Sequence, residues 1–145
     1  MQDVVIPRLH CYRCFHFWTP VKSPVRRCPR CKSQLWDVPK IRPVKLGKGL
    51  GIDSILLPHR KEILRVARSY GVTQIRVFGS VRRREATEKS DVDLLVTWNR
   101  PHSLLDRAGL GLAIEKVVGR PVDVVNEGGV HWAIAPQVEA EAVPL

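Results

Sequence analysis

The chain has 145 residues, enough to bury one modest core and carry a small appendage but too few for two full enzyme lobes. Its apolar fraction of 44% and charged fraction of 26% are ordinary for a globular protein, which excludes wholesale disorder. No apolar run approaches the roughly 20 residues of a membrane span and the start shows no signal-peptide pattern, so we expect a cytoplasmic protein with reduced thiols.

The net charge of +10 is concentrated in the first third of the chain. Residues 1–52 contain 11 Lys and Arg side chains against 2 Asp, whereas residues 53–145 contain 13 against 12 Asp and Glu. A surface this basic indicates a partner of opposite charge, either nucleic acid or an acidic protein face. A solvated surface that only keeps the protein soluble explains the same charge equally well.

The first module is marked by two Cys-x-x-Cys pairs, separated by thirteen residues. The four cysteines are Cys11, Cys14, Cys28 and Cys31. Two tight turns that each present two sulfur atoms to one ion are typical of tetrahedral zinc, so residues 1–40 are predicted to form a structural zinc ribbon. Disulfides or a redox pair would need an oxidising compartment or a βαβ context. The neighbouring His10 and His16 are not needed as ligands, because four cysteines complete the zinc shell.

Aromatic side chains are dense in this short module. We expect most of them to pack around the metal turns, while a base-stacking role for one or two stays open. They are Tyr12, Phe15, Phe17, Trp18 and Trp36. Residues 41–52 then change to Pro, Lys and Gly without a sustained period, which predicts a linker.

The second module, predicted over residues 53–145, begins with a helix. A proline suited to the first turn, apolar residues on one face and a glycine at the end predict this helix at 58–70. Residues 74–78 are rich in β-forming side chains and predict a strand, which stops at Gly79 and Ser80. A tight turn and a short helix are expected to follow.

The rest of this module alternates strands with helices. We predict a strand at 92–98, an amphipathic helix at 104–118 that ends at a glycine, a strand at 121–125 and a last helix near 131–142. The resulting order, α-β-α-β-α-β-α, predicts an α+β fold in which helices cover a small mixed sheet.

The second predicted strand begins with two carboxylates, Asp91 and Asp93. Side chains two residues apart on a strand share a face, so both can point at one site. Their mutual repulsion calls for a cation, and magnesium suits oxygen ligands and phosphate-bearing substrates. A bare Asp-x-Asp is more often a cap or a surface pair, so the interpretation depends on its surroundings.

Those surroundings favour a phosphate site. Gly79 and Ser80 lie ten residues upstream at a strand-to-helix turn, where glycine lets the backbone approach a phosphate and serine can donate its hydroxyl. Asp123 interrupts the third apolar strand, where an unpaired buried charge would be costly. We therefore expect Asp123 to face the same metal site, the alternative being a salt bridge to an arginine.

At these residues the chain resembles the DNA polymerase beta superfamily of nucleotidyltransferases, and within it the minimal nucleotidyltransferases. The stretch VFGSVRRREATEKSDVDLLV contains the family signature, Gly-Ser followed after ten residues by Asp-x-Asp. The similarity extends from about Ile55 to Leu145. Arg83 and Glu85 match the family's usual Arg-Gly-Glu stretch, whereas Arg84 replaces its glycine. The ribbon lies outside the shared domain and takes no function from it.

The resemblance implies transfer of a nucleoside monophosphate from a nucleoside triphosphate to a hydroxyl group, with two magnesium ions and release of pyrophosphate. For an adenylyltransferase the donor is ATP, and the sequence itself leaves the nucleotide preference open. It assigns the metals to Asp91 and Asp93, and it makes Asp123 either an acceptor-side metal ligand or the group that receives the hydroxyl proton. The nucleotide-binding residues that it implies are Gly79, Ser80 and Arg83. For the arginine, a solvated helix face is an equally good interpretation.

Minimal members often act as antitoxins that pair with a HEPN ribonuclease toxin and adenylylate a toxin tyrosine, so such a toxin is the partner that the resemblance implies. About 90 residues suffice for the nucleotide half of the site but leave little to bind an acceptor. Two alternatives stay open: transfer to RNA or a small molecule, and a non-catalytic adaptor that binds nucleic acid. The missing second lobe argues against an antibiotic acceptor, and the three carboxylates argue against the adaptor. The sequence leaves the oligomeric state open.

Overall fold

The computed structural model describes residues 7–145, so the first six residues of the predicted ribbon lie outside the described part of the chain. The chain divides into two compact units, Met1–Arg42 and Pro43–Leu145. None of the helices in residues 7–145 combines the length and apolar character that a membrane-spanning helix needs.

The first unit contains a small antiparallel hairpin. Strand β1 (Leu9–His10) pairs with β2 (Phe17–Trp18), with Leu9 opposite Trp18. Cys11 follows β1 directly, so the hairpin carries the first cysteine pair in its turn. The rest of this unit is made of turns, as expected for a module whose order comes from a small cluster and not from an extended core.

The second unit follows the predicted order of elements with two additions. Its elements are α1 (Ile52–Ile55), α2 (Arg60–Ser69), β3 (Val72–Phe78), α3 (Gly79–Arg82), β4 (Val92–Trp98), α4 (Leu104–Val118), β5 (Val122–Asn126), α5 (Ala135–Glu141) and β6 (Val143–Pro144). The sequence pattern did not predict α1 and β6, because elements of four and two residues are too short to show a hydrophobic period. A 3-10 turn at Leu57–His59 replaces the start of the helix predicted at 58–70.

The sheet of the second unit is mixed, with strand order β5-β4-β3-β6. Strand β3 runs antiparallel to both β4 and β6, whereas β4 and β5 are parallel. The predicted α+β fold is thus confirmed, including the mixed sheet. In the pairing of β4 with β5, Asp93 lies opposite Asp123.

The core lies between this sheet and helices α2 and α4. Helix α2 buries Ile63 and Ala67, one turn apart, and α4 buries Leu110 and Ile114 at the same spacing. The buried strand residues that meet them are Val72, Ile75, Val77, Val92, Leu94, Val96 and Val124. Burial of a large aliphatic side chain contributes about 1.5–3 kcal/mol, so this cluster supplies most of the unit's stability.

Helix α4 begins and ends as its sequence predicts. Ser103 caps it by accepting a hydrogen bond from the Asp106 amide at 3.1 Å, and Asp106 accepts one from the Ser103 amide at 2.8 Å. Gly119 ends it with a φ of 73°. Apolar side chains occupy its outer face as well, because Leu105 is 83% and Leu112 59% exposed. The helix is therefore less amphipathic than the sequence pattern predicted.

Candidate active site

The strand register brings the predicted carboxylates to one end of the sheet. Asp93 on β4 lies directly opposite Asp123 on β5, and opposed residues of neighbouring strands project their side chains to the same face. Asp91 precedes β4 by one residue and shares the alternation of Asp93. Asp93 is half-buried, whereas Asp91 and Asp123 are exposed. The structure thus places all three aspartates at one solvent-accessible end of the sheet.

Their proximity changes the acidity of Asp93. Burial raises the pKa of its carboxyl, and the charges of Asp123 and Asp91 raise it further, to about 6. The nearby Arg83 guanidinium lowers the pKa without cancelling these effects. At neutral pH the site therefore concentrates negative charge that a bound cation would relieve.

This raised pKa predicts a pH-dependent cost to stability. Between about pH 4 and pH 6 the folded state keeps a proton on Asp93 that the unfolded state has released, so the free energy of unfolding falls as pH rises through this window. In magnesium-free buffer, Asp93→Asn should raise the Tm by about 2–4 °C above pH 6 and change it little near pH 4. Thermal unfolding followed by circular dichroism measures this. A Tm difference that is the same at every pH would contradict the prediction, and the exposed Glu88→Gln is the control.

Gly79 joins β3 to α3 at close quarters with Asp93. Its φ is +74°, and an added Cβ would lie 2.1 Å from the Asp93 Oδ2 atom, so both conformation and space require glycine. Ser80 follows as a half-buried residue of α3. The sequence predicted the phosphate turn from these residues, and the structure places the turn beside the aspartates.

A buried carboxylate that the sequence interpretation missed holds this turn. Glu141, at the end of α5, is only 4% exposed. Its Oε1 atom accepts a hydrogen bond from the Gly79 amide at 2.9 Å and one from Arg83 Nη1 at 3.0 Å. Helical spacing was the sequence signal that could have indicated its burial. Glu141 lies three residues after Val138, which is buried, so the two side chains share one face of α5. The Gly79 amide is therefore already engaged by protein.

Arg83, predicted to bind nucleotide, is held by two carboxylates. Besides Glu141, its Nε atom donates to Glu85 Oε2 at 2.9 Å. Its guanidinium is thus oriented by the protein at the rim of the aspartate site, where it lowers the pKa of Asp93. The structure brings Arg83 to the site without leaving the whole guanidinium available to a ligand.

The backbone conformation at Arg84 suits the glycine that the family resemblance implies at this position. Arg84 adopts a left-handed conformation with φ of 56°, which glycine takes freely and other residues adopt at a cost of about 1–2 kcal/mol. The backbone carbonyl of Arg84 accepts a hydrogen bond from the Gly49 amide at 2.7 Å, and its side chain pairs with Asp53 at 3.1 Å. Part of the segment predicted as a linker is therefore packed against the turn after α3.

Comparison with known proteins agrees with this geometry. The family model described as "Nucleotidyltransferase domain" matches residues 60–145. The chain belongs to the nucleotidyltransferase domain family. Its second unit is thus a nucleotidyltransferase, and the resemblance inferred from Gly-Ser and Asp-x-Asp is confirmed.

Individual relatives of this nucleotidyltransferase include the protein adenylyltransferase MntA of Thermococcus cleftensis, 41% identical over 92 residues that cover 63% of this chain and 90% of MntA. A solved structure described as a minimal nucleotidyltransferase is 41% identical, with a TM-score of 0.58, and covers 68% of this chain and 100% of its own. A toxin–antitoxin complex crystallised with AMP-PNP shares the fold, at 21% identity and a TM-score of 0.53, over 61% of this chain and 72% of its own.

The contacts of Glu141 predict a large effect on nucleotidyltransferase stability. Glu141→Ala leaves the Gly79 amide and one arm of Arg83 without their acceptor, and we expect it to lower the free energy of unfolding by about 2–3 kcal/mol. Urea unfolding measures the change. The matched control is Glu139→Ala on the same helix, whose exposed ion pair with Arg76 is worth at most about 1 kcal/mol. Equal effects of the two substitutions would contradict the inferred role of Glu141.

The four cysteines of the nucleotidyltransferase's first unit form a cluster whose sulfur atoms all lie within 4.8 Å of one another. The Sγ atoms of Cys11 and Cys31, and those of Cys14 and Cys28, are 3.7 Å apart. Zinc–sulfur bonds of about 2.3 Å in a tetrahedron place sulfur atoms about 3.8 Å apart. The cluster thus has the dimensions of a zinc site and fits the predicted ribbon.

The two cysteine turns repeat one backbone design. The Phe15 amide donates to the Cys11 carbonyl at 2.9 Å, and the Lys32 amide donates to the Cys28 carbonyl at 3.0 Å. Both closing residues are left-handed, with φ of 59° and 62°. The turns therefore present two sulfur pairs in the same manner from opposite sides of the cluster.

Crowding of the sulfur atoms also perturbs their acidity. Burial raises the pKa of the Cys28 thiol, but hydrogen bonds from the Cys31 and Arg30 amides and from neighbouring thiols lower it to about 7. The Ser33 amide lowers the pKa of the Cys31 thiol, but burial and the other three thiols raise it to about 11. Four adjacent thiolates therefore form readily only with a cation among them.

Elemental analysis should find about one zinc ion per chain. Cys14→Ser should lose that zinc and the fold of the first unit, because a structural site with three ligands binds much more weakly. His16→Ala is the matched control, since His16 is adjacent to the cluster but not needed as a ligand. Full zinc content in Cys14→Ser, or zinc loss in His16→Ala, would contradict the assigned ligand set.

Proposed function

We propose that this nucleotidyltransferase moves AMP from ATP to a tyrosine hydroxyl of a HEPN-type toxin, and that it is the antitoxin of such a pair. The observation that carries the proposal is the group of three aspartates, Asp91, Asp93 and Asp123, beside the Gly79 turn. Two comparisons support it: the relative MntA is named a protein adenylyltransferase, and the fold recurs in a toxin–antitoxin complex with AMP-PNP.

Magnesium is the metal that suits these residues. Within residues 7–145, only the cysteines bring three or more ligand atoms into one tight cluster, so the aspartates share a face without forming a closed cage. This arrangement fits magnesium, which binds one or two carboxylates and completes its shell with water and substrate phosphates. Asp91 and Asp93 would hold two such ions. When bound, the ions would orient the triphosphate and polarise it.

The remaining steps of the proposed transfer reaction depend on side chains of the protein. The acceptor oxygen attacks the α-phosphorus and forms a P–O bond, the bond to the bridging oxygen of the β-phosphate breaks, and pyrophosphate leaves with that electron pair. Asp123, exposed opposite Asp93, receives the acceptor proton or serves as an acceptor-side ligand. Ser80 offers its hydroxyl to the β and γ phosphates, while Gly79 contributes space, since Glu141 engages its amide.

An apolar patch on α4 supports a protein as the acceptor. Leu104, Ala108 and Leu112 succeed one another at intervals of four residues, and Leu105 lies beside them. The three leucines are 70%, 83% and 59% exposed in chain order. Contiguous exposed apolar side chains are typical of protein contact surfaces. A partner that docks here would supply the acceptor half that a domain of this size lacks.

The test is to purify the chain with the protein that accompanies it, then add ATP and magnesium and measure the partner's intact mass. We expect the addition of one or more AMP units on a tyrosine, and no addition with the double variant Asp91→Asn/Asp93→Asn. An unmodified partner together with labelled RNA ends would replace this proposal by transfer to RNA. Inhibition of the partner without any nucleotide requirement would instead indicate a non-catalytic adaptor.

A further inference from the structure

The first unit has a groove that the transfer reaction does not use. It has a volume of about 580 Å³ and is lined by residues between His16 and Pro29. Trp18 and His16 form an aromatic wall, and the basic side chains along it are Lys22, Arg26 and Arg27. We call this feature the ribbon groove, and we propose that it binds single-stranded nucleic acid.

The basic side chains of the ribbon groove have no acidic partner among residues 7–145. Lys22, Arg26 and Arg27 are exposed, and within residues 7–145 their charged groups make no ion pair and no side-chain hydrogen bond. Residues 7–42 contain nine Lys and Arg side chains and a single carboxylate, Asp37, which does not line the groove. A zinc ion with four thiolates would subtract two charges and leave the unit strongly basic. The groove therefore attracts a polyanion.

The aromatic wall narrows the choice of polyanion. The Trp18 and His16 rings are parallel to within 5°, with centroids 6.0 Å apart, and Trp18 packs edge-on against Trp36 at 5.1 Å. This packing fixes the orientation of the Trp18 ring, which remains half-exposed in the groove. Fixed flat rings beside free cations are the combination that stacks bases while pairing phosphates. An acidic protein face would use the cations but has no need of the rings.

Double-stranded nucleic acid fits the ribbon groove less well than a single strand. In a duplex the bases are stacked on one another and their faces are closed, so Trp18 could contact base edges, sugars and phosphates but could not stack on a base. A single strand exposes both base faces and bends to follow a short groove. The groove volume lies within the range of pockets that hold one or two small organic units, which suits one or two nucleotides.

The experiment measures fluorescence anisotropy of labelled RNA and DNA single strands of about 12 nucleotides with the full chain, zinc content being checked for every variant. The charge variant is Lys22→Ala/Arg26→Ala/Arg27→Ala, which replaces exposed side chains only. We expect its affinity to fall at least about 10-fold, and the slope of log affinity against log salt to become shallower by about 2. Comparing the RNA and DNA strands identifies the preferred sugar.

The matched control changes the same number of charges on the other unit. Lys61→Ala/Lys89→Ala/Lys116→Ala removes three exposed lysines far in sequence from the groove, and we expect it to leave affinity within about 2-fold of the wild type. Trp18→Ala should lose at least about 5-fold in affinity, and Trp18→Phe should recover most of it, because phenylalanine also presents a flat face.

Three outcomes would overturn the proposal. The first is no binding of either single strand at protein concentrations up to ~100 μM, the weak end of non-specific binding. The second is an equal loss in the two triple-alanine variants, which would reduce the effect to net charge. The third is competition by polyglutamate or duplex DNA that is as strong as competition by the single strand and is unchanged in the Trp18→Ala variant. That result would assign the groove to acidic partners in general.

Discussion

Asp93→Asn is expected to keep the fold and lose at least ~100-fold in nucleotide transfer. The substitution removes one negative charge from the centre of the aspartate group, which under the proposed function would weaken the binding of magnesium and the alignment of the triphosphate together. The carboxamide has the same shape, and Asp93 is only half-buried, so the sheet has no reason to rearrange. Initial rates of AMP transfer measure the effect, with circular dichroism as the test of folding.

Two further variants make this result specific to the site. Ser80→Ala should lose less activity than Asp93→Asn, because it removes one neutral hydroxyl and leaves all three aspartates in place. Glu88→Gln removes an equivalent charge from an exposed residue of the same unit and should leave the rate unchanged. A rate for Asp93→Asn equal to that of the wild type would exclude the proposed site.

Gly79→Ala is expected to be as damaging as loss of a catalytic group, although it only adds a methyl group. The new Cβ would lie 2.1 Å from Oδ2 and 2.9 Å from Cγ of Asp93, so that carboxylate must leave its place. The φ of +74° adds a conformational cost of about 1–2 kcal/mol. We expect a loss of roughly 3 kcal/mol in the free energy of unfolding and at least ~100-fold in activity.

The chain provides a matched control for the conformational part of this effect. Gly119 and Gly128 have φ of +73° and +81°, and an added Cβ at either would meet nothing within 4 Å. Gly119→Ala and Gly128→Ala should therefore show only the conformational cost, with activity close to the wild type. The difference between Gly79→Ala and these variants isolates the clash with Asp93. If all three variants behave alike in urea unfolding and in transfer, the close approach of Gly79 to Asp93 does not contribute to stability or activity.

The sequence by itself determined the local features of both units. The spacing of the cysteines indicated a single cluster, because a Cys-x-x-Cys turn closes over a few residues and needs no distant contact. Helix α4 and strand β4 have the bounds that were predicted, 104–118 and 92–98, since hydrophobic patterning and a terminal glycine are both local signals. The carboxylates at the start of β4 and the Gly79 turn were found in the same way.

Tertiary structure decided which distant residues meet at the site. The parallel pairing of β4 with β5, which puts Asp123 opposite Asp93, depends on a crossover through α4 that no local pattern specifies. Glu141 reaches the Gly79 amide only because α5 returns to the end of β3, 62 residues later in the chain. The Gly49 amide donates a hydrogen bond to the left-handed turn at Arg84, which lies 84 − 49 = 35 residues later in the chain. Such contacts depend on packing between elements, and packing is a property of the assembled core rather than of any single segment.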